Sequence, residues 1–456
     1  MLIKGSKKFL SLGAVRAHTL RTNFLWTAAG NGIFSLSQWG ILVVFAKLGS
    51  TTLVGQLVNA LALMTPIFVV AGLQLRSIQA TDANNRYTIG QYLGLRATTT
   101  TVAVIAGMIV SAIVWVAGGD SYLIILFWTL SKAADTSSDA LYALFQQAER
   151  MDYMGLSLIL RAIAATASVT ILFRATHSGP IALAGLAASW SAVFVLYDIP
   201  VARIVLRQRK QSSIAADSPA ESLRPLFGQR ELWRLFSEAA PLGIVGFLLA
   251  VQMQVPRYIV AGLLHTRELG LFSAAAYLTL IGTMLVNALG APACVRLAKY
   301  HVLGAGAAFR RLLAKLLAVA TALGVAGILI SIIAGGRILT LMYTTEYSRM
   351  AGVLTMLCAG SAVSYVGSFL GYSMTALRRY RIQVPLFLAV LLTTLLSCYW
   401  LTVRYGMMGT AAGILVGNLA QLLMSAVVVV GTLRRSSANL PVDRSPVPLE
   451  TKEVVA

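Results

Sequence analysis

The chain has 456 residues, is 57% hydrophobic and only 12% charged, and has a mean hydropathy of +0.77; that balance excludes an ordinary soluble domain. A net charge of +21 would suggest nucleic acid in a soluble protein. Here the cations are distributed as a membrane protein distributes them, and no nucleic-acid partner is expected.

The first 21 residues form a basic tail with Lys4, Lys7, Lys8, Arg16 and Arg21. The apolar run behind it is too long for a signal-peptide core and reads as an uncleaved first span. Runs long enough to cross the ~30 Å hydrocarbon core recur at 22–46, 53–75, 97–118, 121–145, 156–176 and 180–205. The longest polar interruption, 207–236, carries Arg207, Arg209, Lys210, Arg224, Arg230 and Arg234 and reads as a linker. Six more runs follow at 238–263, 269–293, 312–335, 350–375, 383–403 and 407–433. The tail 436–456 contains Pro441, Pro446 and Pro448, lacks apolar periodicity and is expected to be disordered.

The expected fold is therefore all-α and polytopic. About twelve transmembrane helices form two six-helix lobes, 22–206 and 237–435. Most of the 37 Lys and Arg fall in the two tails and in alternate loops. Only Lys47, Arg174, Arg267, Arg337, Arg349 and Arg404 fall in the opposite loops. The positive-inside rule then places both termini in the cytoplasm. A weak repeat supports two lobes: KLGSTTLVGQ, with Gly55 opening the second span, matches LLHTRELGL, with Gly270 opening the eighth. Lobes of six spans enter from the same side, so the axis relating them should run along the membrane normal.

The fourth span is unusual. Lys132, Asp135, Thr136, Asp139, Tyr142 and Gln146 recur at spacings of three or four and share one helix face. A charge at mid-membrane costs about 2.5–3.5 kcal/mol even on the lenient insertion scale, so this face lines protein or a water-filled cavity. That points to transport. Two readings of Lys132, Asp135 and Asp139 stand. In one, Asp135 or Asp139 couples ion or proton movement to transport. In the other, Lys132 and Asp135 neutralise each other and Asp139 bonds a helix of the same lobe.

Pro66 and Pro256 interrupt spans two and seven and are expected to act as hinges. Gly324, Gly327, Gly409 and Gly413 are expected at close helix packing. Neither a Walker A sequence nor a metal-ligand cluster nor a nucleophile elbow is present. Cys294, Cys358 and Cys398 form no disulfide framework. The opposite-side loops are too short for a catalytic domain. No enzyme activity, metal or cofactor is expected, and a glycan polymerase or ligase is disfavoured.

Several segments resemble the polysaccharide transporter family, the O-antigen and exopolysaccharide flippases of the multidrug/oligosaccharidyl-lipid/polysaccharide (MOP) flippase superfamily. They are FLWTAAGNGIFSLSQWGILVVFAKLGSTTLVGQ at 24–56, LQLRSIQATD at 73–82, SSDALYALFQQAERMDYMGLSLILRA at 137–162 and VPRYIVAGLLHTRELGLFSAAAYL at 255–278. TTEYSRMAGVLTML at 344–357 and YGMMGTAAGILVGN at 405–418 are looser matches. The resemblance implies a V-shaped pair of six-helix bundles in the inner membrane. It implies alternating-access transport of an undecaprenyl-diphosphate-linked oligosaccharide for O-antigen, capsule or exopolysaccharide. The implied partners are that lipid-linked oligosaccharide, the bilayer and other polysaccharide assembly proteins. A drug or metabolite antiporter on the same fold would want a dense acidic site and few intramembrane cations. A lipid II flippase would carry two further spans.

Such cargo needs cations for its diphosphate, and arginine offers phosphate oxygens a bidentate fork. Arg161 in span five and Arg257 in span seven are the leading candidates. Arg161 would meet the diphosphate inward-open, and Arg257 would hold it after the switch. Lys132, Arg76 and Arg96 complete the expected cationic cavity. Against these roles stands snorkelling to the nearer interface for Arg161 and Arg257. For Arg76 and Arg96 the competing role is anchoring at the ends of spans two and three. Asn31 and Gln38, on the span-one stripe of Asn23, Thr27 and Ser35, could meet sugar hydroxyls, as could Asn287 in span eight. Polar helix packing explains them equally.

Overall fold

The computed structural model describes residues 20–82, 86–212, 222–377 and 380–438. The expected basic tail up to residue 19 and the tail from 439 lie outside the described residues. Within them the chain is helical almost throughout, with no strand. Hydrocarbon cannot satisfy backbone polar groups, and each helix satisfies its own.

The first half comprises α1 (Leu20–Leu48), α2 (Thr51–Gly72), the short α3 (Leu75–Thr81), α4 (Ile89–Val116), α5 (Tyr122–Gln147), α6 (Met151–Thr176) and α7 (Gly179–Val193). A π turn, Phe194–Asp198, carries α7 into α8 (Ile199–Ser212). The second half comprises α9 (Gln229–Leu263), α10 (Thr266–Leu278), α11 (Leu280–Val302), α12 (Gly306–Met342), α13 (Ala351–Ala376) and α14 (Tyr380–Ala438).

Ten helical stretches among the described residues are long and apolar enough to cross a membrane. The last of them, Ile382–Leu433, has 52 residues. At 1.5 Å per residue that is about 78 Å, more than twice the hydrocarbon thickness. Gly406 resolves this: its φ of 58° and ψ of −140° reverse the chain where a Cβ would be strained. The two arms of α14 then pack antiparallel. A Cβ on Gly417 would touch Thr394, one on Gly413 would touch Cys398, and one on Gly409 would meet Leu401 O. The Thr402 and Thr410 hydroxyls lie 2.7 Å apart. This stretch is therefore two crossings. The remaining expected span is α5, which is as long as its neighbours but carries Lys132, Asp135 and Asp139.

Of the glycines expected at close packing, Gly324 meets Ala362, and Gly409 and Gly413 seat the α14 hairpin. Gly327 is a correction: nothing lies within 4 Å of a Cβ built there. The expected linker 207–236 is also shorter than its polarity suggests. The helix α8 runs to Ser212 and α9 begins at Gln229, because a polar stretch can stay helical where it leaves the apolar layer. Residues 222–228 lie as a strap on α4. The Leu226 N–H donates to Gly90 O at 2.8 Å. A Cβ on Gly94 would stand 2.0 Å from Leu226 O.

Helices of each half pack mainly on their own kind, and the halves meet through α2. It runs antiparallel to α9, with Leu73 against Gly243, and Val69 and Gln74 against Gly246. The Tyr258 hydroxyl donates to Ala62 O at 2.5 Å. Pro66 and Pro256 lie buried inside these two helices, which continue through them. At its first turns α2 crosses α10. A Cβ on Gly55 would sit 1.8 Å from Thr266 O, and one on Gly270 would sit 2.2 Å from Thr51 O. Beside this crossing Trp39 Nε1 donates to the Tyr343 hydroxyl at 2.9 Å, which donates to Ala274 O at 3.0 Å. On α1 and α11, the partners of α9 and α2 in the repeat, Phe24, Leu25, Met284, Leu285 and Leu289 are exposed.

Candidate functional site

The first half encloses a cavity of about 740 Å³. Side chains from α1 to α6 line it, among them Asn31, Thr65, Arg76, Arg96, Lys132 and Asp139. Local structure aims the cations inward. Leu73 and Gln74 are both left-handed, with φ of 50° and 52°, a conformation costing roughly 1–2 kcal/mol per L-residue. They turn the chain from α2 into α3, which lays Arg76 along the cavity. The next helix, α4, starts at a capping box: the Thr88 N–H donates to Gln91 Oε1 at 2.8 Å and the Gln91 N–H to Thr88 Oγ1 at 3.3 Å. That start places Arg96 two turns into the bundle.

Asp135 and Asp139 lie one turn apart on α5 and organise the cations. Asp139 Oδ1 accepts from Arg76 Nη1 at 3.2 Å, and Oδ2 accepts from Arg96 Nη2 at 2.8 Å. Arg96 is also held by Gly72 O, at 3.2 Å from Nη1. Arg76 Nη2 lies 2.9 Å from Met154 Sδ. Asp135 Oδ2 accepts from Lys132 Nζ at 2.9 Å, and Oδ1 from Arg161 Nη1 at 3.0 Å. Of the charged groups that line the cavity, the cations Arg76, Arg96 and Lys132 outnumber the carboxylates Asp135 and Asp139, leaving a surplus of positive charge there. Among the described residues no group of three His, Cys, Asp or Glu could hold a metal.

The structure places the expected residues unevenly. It joins Lys132 to Asp135 and gives Asp139 partners in its own half, as the structural reading expects. Arg76 and Arg96 are not free interfacial anchors, because Asp139 holds both. Arg161 is a correction: its side chain is fully buried behind the cavity wall. Its guanidinium lies 4.7 Å from the Trp190 ring centroid and 5.8 Å from that of Phe34. It does not line the cavity, and it braces Asp135 from behind. Arg257 stays apart from the cluster, donating to Gln254 Oε1 at 2.6 Å, 5.5 Å from the Tyr277 ring. Asn31 lines the cavity. Gln38 and Asn287 do not: the Gln38 amide nitrogen is buried, and the exposed Asn287 accepts from the Tyr372 hydroxyl at 3.3 Å.

One buried acid went unread in the sequence. Asp198, in the π turn, is fully buried beside Ser138, Ser157 and Arg161. The available signal was an acid inside an apolar run, immediately before Ile199 and Pro200. A π turn at such a place often marks function.

With this geometry in view, the chain can be set beside known proteins. Residues 20–297 match the model of a family described as polysaccharide biosynthesis protein. The capsular polysaccharide biosynthesis protein CapF of Staphylococcus aureus is 23% identical over 401 residues, 88% of this chain and 97% of that one. Two solved structures share the fold. One is a multidrug resistance MATE family transporter of the MOP superfamily in an inward-facing conformation. It is 13% identical, with a TM-score of 0.69, over 89% of this chain and 95% of that one. The other is the lipid II flippase MurJ in an inward closed conformation. It is 12% identical, with a TM-score of 0.70, over 91% of this chain and 90% of that one. The fold is the one that these two solved structures share.

Proposed function

We propose that this chain, which belongs to the polysaccharide biosynthesis protein family, is an inner-membrane flippase for an undecaprenyl-diphosphate-linked oligosaccharide. It acts by alternating access in the assembly of a surface polysaccharide. The supporting observation is the convergence of Arg76, Arg96 and Lys132 on one cavity inside an apolar bundle. Cations at that depth are costly unless they are paired or serve a ligand, and their charge exceeds what Asp135 and Asp139 neutralise. A diphosphate is the part of such cargo that matches them. The cavity volume suits that group with its first sugars, within the range of ordinary ligand pockets. Asn31 and Thr65 supply neutral donors and acceptors on the same wall.

With both termini cytoplasmic, the cavity reaches the cytoplasmic side past Ala80 and Gln146, and the crossing at Gly55 and Gly270 closes the periplasmic side. The polyprenyl tail stays in lipid, entering between α1 and α11. Arg257, in the second half, receives the diphosphate when the lobes rock. The surplus of cations disfavours a cation-coupled drug antiporter. The same cavity offers no paired catalytic groups for a polymerase or ligase.

The test is a strain lacking this gene, analysed for polyprenyl-diphosphate glycan. The glycan should accumulate on the cytoplasmic leaflet. Wild type should clear it, and Arg96→Glu, present at equal membrane level, should not. A lipid pool unchanged by the deletion would refute the reading.

A further inference from the structure

The geometry points to Asp139 as an internal occupant of the anion site, displaced by the cargo's phosphate when cargo binds. This rests on the diphosphate reading above and adds how the site keeps itself ready. Asp139 takes one guanidinium on each oxygen, from two different elements, α3 and α4. A phosphate group can present its oxygens to two guanidiniums in the same way, with more charge. Asp139 is therefore the anion around which the two arginines are held while the cavity is free of cargo.

Three observations make exchange feasible. The Asp139 side chain is 34% exposed, so an incoming anion can reach it. Both arginines have a second anchor, Gly72 O for Arg96 and Met154 Sδ for Arg76, so neither depends on Asp139 alone for its position. The neighbouring Asp135 is locked, because Lys132 and the fully buried Arg161 occupy its two oxygens. Of the two carboxylates on this face, only Asp139 is placed to yield. The exchange selects for a diphosphate. A neutral sugar or an uncharged polyprenol cannot compete with a carboxylate for two guanidiniums.

Thermal unfolding of the full-length protein in detergent tests this, with inorganic pyrophosphate and undecaprenyl diphosphate as separate probes and undecaprenol as control. Asp139→Asn should unfold at a lower temperature than wild type without ligand. Pyrophosphate should restore it, with an apparent affinity at least tenfold tighter than that of wild type. Adding Arg96→Gln should remove that gain. If Asp139→Asn is not recovered folded, pyrophosphate present during extraction should recover it; failure to do so overturns the exchange. Equal diphosphate affinity in wild type and Asp139→Asn also overturns it and leaves the diphosphate cargo standing. Stabilisation by undecaprenyl diphosphate but not pyrophosphate keeps the exchange, with the lipid-borne group as its ligand. No stabilisation of either protein by either diphosphate overturns both readings.

Discussion

On the proposed alternating-access reading, Gly55→Ala should open the end that the crossing of α2 and α10 closes. The added methyl would stand 1.8 Å from Thr266 O, where a carbon and a carbonyl oxygen need about 3.3 Å. The helices α2 and α10 must then part by about 1.5 Å at the crossing. Nothing local can absorb this, because Thr266 O is backbone and the following turns bury Leu269, Leu271 and Phe272. Overpacking of this kind costs about 1–3 kcal/mol. That cost falls on the conformation in which the two helices cross, so the population should shift toward the opposite conformation by roughly 5–150-fold. The assay uses a chain whose cysteines at 294, 358 and 398 are replaced by alanine and whose cavity-lining Thr65 is replaced by cysteine. An impermeant maleimide is applied from the side of the turn between α1 and α2. Gly55→Ala should raise the labelling rate by the same order. An unchanged rate, with protein at normal membrane level, would refute the assignment of this crossing as the seal.

Further outcomes follow from the same coordinates. Arg161→Ala should lower membrane yield and thermal stability, since breaking a buried ion pair costs on the order of 3–5 kcal/mol; Arg76→Ala, in a partly exposed pair, should abolish transport at near-normal yield. Gly406→Ala should lower the unfolding temperature, because its positive φ makes a Cβ cost about 1–3 kcal/mol. Gly94→Val should lift the 222–228 strap from α4, seen as faster chymotryptic cleavage after Phe227; unchanged digestion would dismiss the strap's seat.

What could be read from the chain beforehand followed interaction range. Hydrophobic runs locate the crossings, because length and apolarity are local properties; even α5 is found, charges included. The Lys132–Asp135 pair is legible because the residues are three apart on one helix. Arg76 and Asp139 are 63 positions apart and Arg96 and Asp139 are 43 apart, so only the fold brings them together. Depth alone misplaced Arg161. Its distance from the helix end says how far it lies from the interface, not which side of α6 it occupies, and that side faces Trp190. Asp198 was overlooked because no partner at helical spacing announced it. The extra turns of α9 were hidden by polarity, which marks exit from the apolar layer rather than the end of a helix.

The crossing of α2 and α10 has the form of a symmetric subunit interface. Gly55 meets Thr266, and Gly270 meets Thr51. Both pairs are separated by 211 and 219 positions around a common offset of 215, which maps Thr51 onto Thr266 and Gly55 onto Gly270. Residue i of one half touches residue j of the other, and j touches i, which is the rule for an isologous contact. A six-helix chain bearing Thr-x-x-x-Gly at this place would be self-complementary there. Two separate copies would close the same contact without any linker. The single chain keeps that dimer-like joint and is freed from matching its halves elsewhere, so the charged face of α5 can exist in one half alone.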